Sequence, residues 1–222
     1  MSAHEMADLT HWPYTVNPVA AIVSPFFLGF VADRYFAPEK ILGWLHIFSG
    51  CVMLIVPSAV NNPTFFIILL LIYNICYMPT LGLVNTITFH HVENREKHYP
   101  LIRVFGTIGW ISAGLLISFI LGFFSGGIIP ERTTLPLYTA GVAGLIMGLY
   151  SFTLGRTYPQ GAERKALLRS VIGFGVLREL GNRSFYVFLI SVLILCIPLA
   201  FYYNFTKIYL ADTGFKNIAG TH

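Results

Sequence analysis

The sequence predicts an all-α integral membrane protein with about six transmembrane helices, and three observations carry that prediction. First, 55% of the 222 residues are hydrophobic, only 11% are charged, and mean hydropathy is +0.69. A soluble domain carries about a quarter charged residues. So few charges cannot coat a water-facing surface, which excludes a soluble globular enzyme, a disordered chain and a coiled coil. Second, the apolar runs are long and unbroken. They approach the ~20 residues that a helix needs to cross a bilayer, not the ~10 alternating residues of a barrel strand. Third, the basic residues gather in alternate connections between those runs, which is how topology is written in membrane proteins.

The six runs are residues 16–32, 41–60, 64–89, 101–124, 135–154 and 185–210. The first is short, and the fourth carries Arg103 near its start. One set of connections comprises residues 33–40, 90–103 and 155–184, and it holds 11 of the 14 basic residues. The other set holds only Arg132, Lys207 and Lys216. The sets alternate correctly with six spans. The rich set is therefore cytoplasmic, and both ends of the chain are expected outside. Residues 1–14 have no apolar stretch of the kind a signal peptide needs. An outside N-terminus without a signal leads to the expectation of a fragment, lacking one helix in front and several behind.

Residues 155–184 carry their own pattern. Leu167, Leu168, Val171, Ile172 and Leu177 form one face, with Arg164, Lys165, Arg169 and Arg178 on the other. That pattern predicts a helix lying along the inner membrane surface. The expected organisation is a tail at 1–15, a partial bundle of five helices at 16–154, a cytoplasmic linker at 155–184, and the first helix of a second bundle at 185–222.

The remaining residue patterns are mostly structural. Cys51, Cys76 and Cys196 lie in separate apolar runs and read as packing residues. His90, His91 and His98 make one cluster in a charged connection, too few for a metal site, so no metal or cofactor is expected. Gly106, Gly109, Gly114, Gly141, Gly144 and Gly148 read as sites of close helix approach. No catalytic triad order or phosphate loop occurs, so the chain is not read as an enzyme. The excess of basic residues reports orientation; nucleic acid is not an expected partner.

Three motifs carry a family resemblance. The first is G-x-x-x-D-R at Gly29, Asp33 and Arg34. It resembles the cytoplasmic signature after the second helix of the major facilitator superfamily, where it latches one conformation. The loop that follows departs from the usual pattern, running Tyr35, Phe36, Ala37, Pro38, Glu39, Lys40. The second and third are P-T-L-x-L-x-N-x-I-x-F from Pro79 to Phe89 and I-R-V-x-G-T-I-G-W-I from Ile102 to Ile111. These resemble the fourth and fifth helices of that superfamily's nucleoside:proton symporter branch. With "CIPLAFYYNFT" in the last run, the likeness covers residues 20–215 or so. It implies a partial major-facilitator fold equivalent to helices 2–7. The intact protein would sit in the cell inner membrane as a monomer and take up nucleosides with protons. The alternatives are a transporter of a sugar or other polar metabolite, and a truncated membrane protein that transports nothing.

Arg103, Thr107 and Trp110 fall at i, i+4 and i+7, hence on one helix face. A charged side chain within a span costs about 2.5–3.5 kcal/mol at the centre and usually faces a cavity or a partner. Arginine offers a planar fork of donors for a nucleobase carbonyl or a carboxylate. Threonine adds a hydroxyl, and tryptophan a flat surface for stacking. The resemblance puts these three in the substrate cavity. Asn85, near the cytoplasmic end of its run, is a further candidate, as is Tyr203 in the last. Ala200 stands where the branch tends to have a glutamine. None of the ten acidic residues lies mid-span, so the resemblance places the coupling carboxylate in helices that are not in this sequence.

Overall fold

A computed structural model describes residues 12–27, 37–124, 133–157 and 182–213, and the description is confined to these. Among them the chain is helical and contains no strand. Helix α1 is Trp12–Phe27, α2 Pro38–Ile55, α3 Pro63–His91, α4 Arg95–Leu115, α5 Leu135–Ser151 and α6 Arg183–Asp212. A 3-10 turn, Val56–Ala59, prolongs α2. A π-helical stretch, Leu116–Leu121, and a last turn, Gly122–Phe124, prolong α4. Contacts divide the chain into one unit of residues 1–165 and another of 166–222.

Local chemistry sets the helix starts. Pro38 and Pro63 occupy first-turn positions, where a missing N–H costs nothing. The Asn62 side chain accepts a hydrogen bond from the Phe65 N–H, and Asn94 accepts one from Lys97, so both asparagines are N-caps. The Asn94 cap shortens a connection. Residues 90–103 read as a loop in the sequence, but α3 runs through His91 and α4 starts at Arg95. His90 and His91 close α3, and the His91 ring lies 3.0 Å from the Ile87 carbonyl, at the end of the helix that favours positive charge.

Among the described residues, four helical segments are long and apolar enough to cross a membrane: Pro38–Ala59, Pro63–His91, Arg95–Phe119 and Arg183–Tyr203. The protein is therefore a multi-pass membrane protein. Helix α5, of 17 residues, is shorter than the run 135–154 that predicts it, and α1 is described over 16 residues.

In the first unit, α2 packs on α5 and on α3, and α1 packs on α3. The α2–α5 contact is made by backbones. A Cβ on Gly144 would lie 3.2 Å from the Gly50 Cα. One on Gly148 would lie 2.9 Å from the Ile47 nitrogen and 3.0 Å from the Gly43 oxygen. Small residues suit such an interface, because lipid supplies no hydrophobic drive between helices and close van der Waals packing must hold them. Around it sit two apolar clusters. Val52, Met53, Val56, Ala59 and Leu69 form one; Leu42, Leu83 and Ile87 form the other.

Glu39 ties the two ends of this pair together. It is 3% exposed in the first turn of α2, and its carboxylate accepts a hydrogen bond of 3.2 Å from the Thr157 N–H beyond α5. The sequence reading placed no acidic residue inside a span, and Glu39 stands at a helix mouth, where its charge also complements the N-terminal dipole.

Helix α4 differs from α2 and α3 in that none of its side chains is buried. Its glycines follow suit: a Cβ on Gly106, Gly109 or Gly114 would meet nothing within 4 Å. The sequence reading of all six glycines as close-approach sites thus divides, with Gly141, Gly144 and Gly148 in a helix contact of this unit. In the second unit, α6 runs through Pro198 and is exposed nearly throughout. The linker helix expected at 155–184 falls mostly outside the described residues.

This division is testable by thermal unfolding of the purified protein. Gly148→Ala forces a methyl group into backbone, and overpacking of that kind costs about 1–3 kcal/mol. It should lower the midpoint clearly, whereas Gly109→Ala should leave it in place. Equal effects would contradict the interface.

Candidate functional site

The sequence singles out Arg103, Thr107, Trp110, Asn85 and Tyr203, with Gly29, Asp33 and Arg34 as a latch. Gly29, Asp33 and Arg34 lie outside the described residues. Arg103 stands eight residues into α4, about 12 Å from the helix start at 1.5 Å per residue.

A hydrogen-bonded chain joins Arg103 to α3. The Arg103 Nη1 donates to the Tyr99 hydroxyl at 3.4 Å, and that hydroxyl donates to the Asn85 Oδ1 at 3.1 Å. The Tyr99 hydroxyl thus accepts a hydrogen bond on one side and donates one on the other, and bonds in such chains polarise one another. The Tyr99 ring lies 4.7 Å from that of Phe89, centroid to centroid, and the Arg95 guanidinium stands 5.6 Å from the Phe89 centroid, within cation–π range. The chain aims the Asn85 oxygen at Tyr99 and so turns its amide donors away.

Thr107 sits one turn beyond Arg103 and donates to the Arg103 carbonyl at 3.4 Å, leaving its oxygen able to accept. Trp110 is 68% exposed. Residues 99, 103, 107 and 110 therefore make one stripe: hydroxyl, guanidinium, hydroxyl, indole. Arg103 has five N–H donors, of which Tyr99 engages one. The stripe can grip a planar polar ligand through the guanidinium fork and stack its ring on the indole.

Tyr203 belongs to the second unit. Its ring meets that of Tyr202 edge-on at 5.5 Å, and it is exposed on α6. The structure brings Asn85 and Arg103 together, with Thr107 and Trp110 on the same stripe.

Tyr99 is the residue that sequence reasoning missed. The signal was present, since 99 and 103 are one helical turn apart. Pro100 hid it by suggesting a helix start at 101, where the structure has a proline inside α4.

The fold and this stripe define a polytopic helical membrane protein with a polar, partly aromatic face inside an apolar span. The sequence matches the family described as Nucleoside H+ symporter over residues 3–221, and the chain belongs to that family. It is 36% identical over 212 residues to "Putative nucleoside transporter YegT" of Escherichia coli (strain K12), covering 94% of this chain and 48% of that protein. It is 27% identical over 186 residues to "Nucleoside permease NupG" of the same organism, covering 82% and 42%. To the "Xanthosine permease" of that organism it is 27% identical over 188 residues, covering 82% and 42%. Among solved structures, a mutant of the nucleoside transporter NupG superposes with a TM-score of 0.74 at 24% identity, covering 93% of this chain and 50% of that one; this likeness is one of fold. The chain thus spans about half the length of the relatives it matches.

Tyr99→Phe tests the chain of hydrogen bonds. It removes the bridge and keeps the ring against Phe89. The KM for the solute should rise about 5- to 150-fold, equivalent to two hydrogen bonds of roughly 0.5–1.5 kcal/mol each, with the amount of protein in the membrane unchanged.

Proposed function

We propose that the chain serves proton-coupled uptake of nucleosides by alternating access across the inner membrane. The observation that carries the reading is the α3–α4 chain of Asn85, Tyr99 and Arg103, continued along α4 by Thr107 and Trp110. A nucleoside offers a planar base with carbonyl acceptors and a ribose with hydroxyls. Arg103 would bind a base carbonyl, Thr107 a hydroxyl, and Trp110 would stack the base. Asn85 and Tyr99 would hold the guanidinium in place. Family membership and the names of the relatives support the substrate and the proton.

In this reading, residues 16–154 belong to one helical bundle and residues 185–222 open a second, joined by a cytoplasmic linker at 155–184 and preceded by a tail at 1–15. The helices α1 and α5 would also span the bilayer. Both ends of the chain face outward, as the distribution of basic residues favours. The two bundles rock about a midplane site. Tyr203 would contribute from the second bundle, and Gly29, Asp33 and Arg34 would latch the cytoplasmic side. The transporter works as a monomer.

Ala200 favours a second reading, in which the solute is a sugar or another polar metabolite, because alanine cannot supply the amide of the glutamine usual there. Uptake of labelled uridine by cells expressing the protein from its native gene, in a host without nucleoside uptake, separates the two. Uptake should depend on an inward proton gradient, be competed by nucleosides and not by sugars, and fall at least tenfold in Arg103→Ala. Competition by sugars alone would establish the second reading. Undiminished uptake in Arg103→Ala would remove the arginine from the site.

A further inference from the structure

A half-open cavity of about 280 Å³ lies between α2, α3 and α5, with no α4 residue in its lining. Its walls are His46 and Ser49 from α2, Tyr73 and Tyr77 from α3, and Ala140, Ala143, Gly144 and Met147 from α5. His46 is eight residues into α2, about 12 Å from the helix start, and so deep in a segment long enough to span. It is 8% exposed.

The chemistry of this cavity is out of keeping with a packing role. The His46 ring meets Tyr77 edge-on, with centroids 6.1 Å apart, and Tyr77 stacks on Tyr73 at 5.5 Å and 11°. Ser49 turns its hydroxyl back to the His46 carbonyl at 3.2 Å, so its proton is already engaged. No hydrogen bond joins the His46 ring nitrogens to a described group, yet no side-chain nitrogen or oxygen among the described residues is both fully buried and unpaired. The ring nitrogens are therefore not sealed from solvent, and the His46 side chain lines the cavity. A polar group left dry in a membrane interior costs several kcal/mol. Water relieves that cost, and at roughly 30 Å³ per molecule the space holds several waters among polar partners.

Histidine is the side chain whose ordinary titration falls in the physiological range. An ionisable group inside a span is a candidate for a proton or ion path, and His46 shares its side of this otherwise largely apolar cavity with Ser49, Tyr73 and Tyr77. The titratable groups facing His46 are Tyr73 and Tyr77 from α3; α5 presents only Ala140, Ala143, Gly144 and Met147. Among the described residues, no aspartate, glutamate, lysine or arginine lines the walls.

We propose that this cavity is a hydrated proton-binding site in which the His46 imidazole takes up the proton and the tyrosine hydroxyls order the water around it. Protonation there would make the packing of α2 against α3 sensitive to pH, separately from the coupling group of the transport cycle. The site itself needs no assumption about the transported solute; only its effect on uptake rests on the proton-coupled reading above.

The test is nuclear magnetic resonance of histidine-labelled full-chain protein in lipid nanodiscs. One imidazole signal should vanish in His46→Gln, titrate reversibly as the sample is taken from about pH 8 down to about pH 4, and receive magnetisation from water. Tyr77→Phe, which keeps the ring, should retain the signal and move its midpoint. A His46 signal that holds one protonation state over that range, or that exchanges nothing with water, overturns the proposal. Uptake measured in parallel distinguishes the two claims. If the protein moves no nucleoside while His46 titrates, the transport reading fails and the proton site stands.

Discussion

Where Gly50 of α2 meets Gly144 of α5, no side chain stands between the two backbones, and much of the first unit hangs on that contact. A water-soluble bundle would press such helices together by expelling water from apolar side chains. Lipid tails are as apolar as leucine, so that drive is absent between helices in a membrane. What remains is dispersion at short range, which falls off steeply with any added gap. Glycines at 43 and 50 on one helix, and at 141, 144 and 148 on the other, allow the approach. With α2 and α5 in register, Glu39 reaches the Thr157 N–H, and α3 packs against α2 through Leu42, Leu83 and Ile87.

That arrangement positions the two polar features. On one side of α3, His46 of α2 and the stacked pair Tyr73 and Tyr77 line a half-open cavity. Toward its C-terminal end, Asn85 reaches Tyr99 and through it Arg103. The helix that carries Arg103 buries none of its own side chains. Its many exposed apolar residues, such as Leu101 and Phe105, suit a lipid or helical neighbour, while Arg103, Thr107 and Trp110 form a different face. A helix joined to its neighbour by a short turn, a hydrogen-bonded chain and the contacts of Tyr99 and Arg95 with Phe89 is well placed to present its polar stripe to a ligand.

Much of this was legible in the sequence, for physical reasons. Long apolar runs have one regular solution in a bilayer, so the helices α2, α3, α4 and α6 could be read with small errors at their ends. Arg103 stood out because a guanidinium within such a run is costly without a purpose. Tyr99 did not stand out, since Pro100 marks a helix boundary in most contexts and here lies inside a helix capped by Asn94. The glycines looked alike in sequence. Which of them carry a contact depends on the partner helix, so Gly144 and Gly109 were indistinguishable until the packing was seen. His46 carried no signal at all: a single histidine in an apolar run gains meaning only from the cavity beside it.

The central claim is that the stripe of α4 lines an aqueous cavity that a nucleoside occupies. Cysteine accessibility at position 107 measures this most directly. In the protein expressed from its native gene, with Cys51, Cys76 and Cys196 replaced by serine and Thr107 by cysteine, a membrane-impermeant thiol reagent should label position 107 from water. Uridine at saturating concentration should slow that labelling at least fivefold. A cysteine at 107 that reacts only with lipid-soluble reagents, or at a rate uridine does not change, would contradict the account.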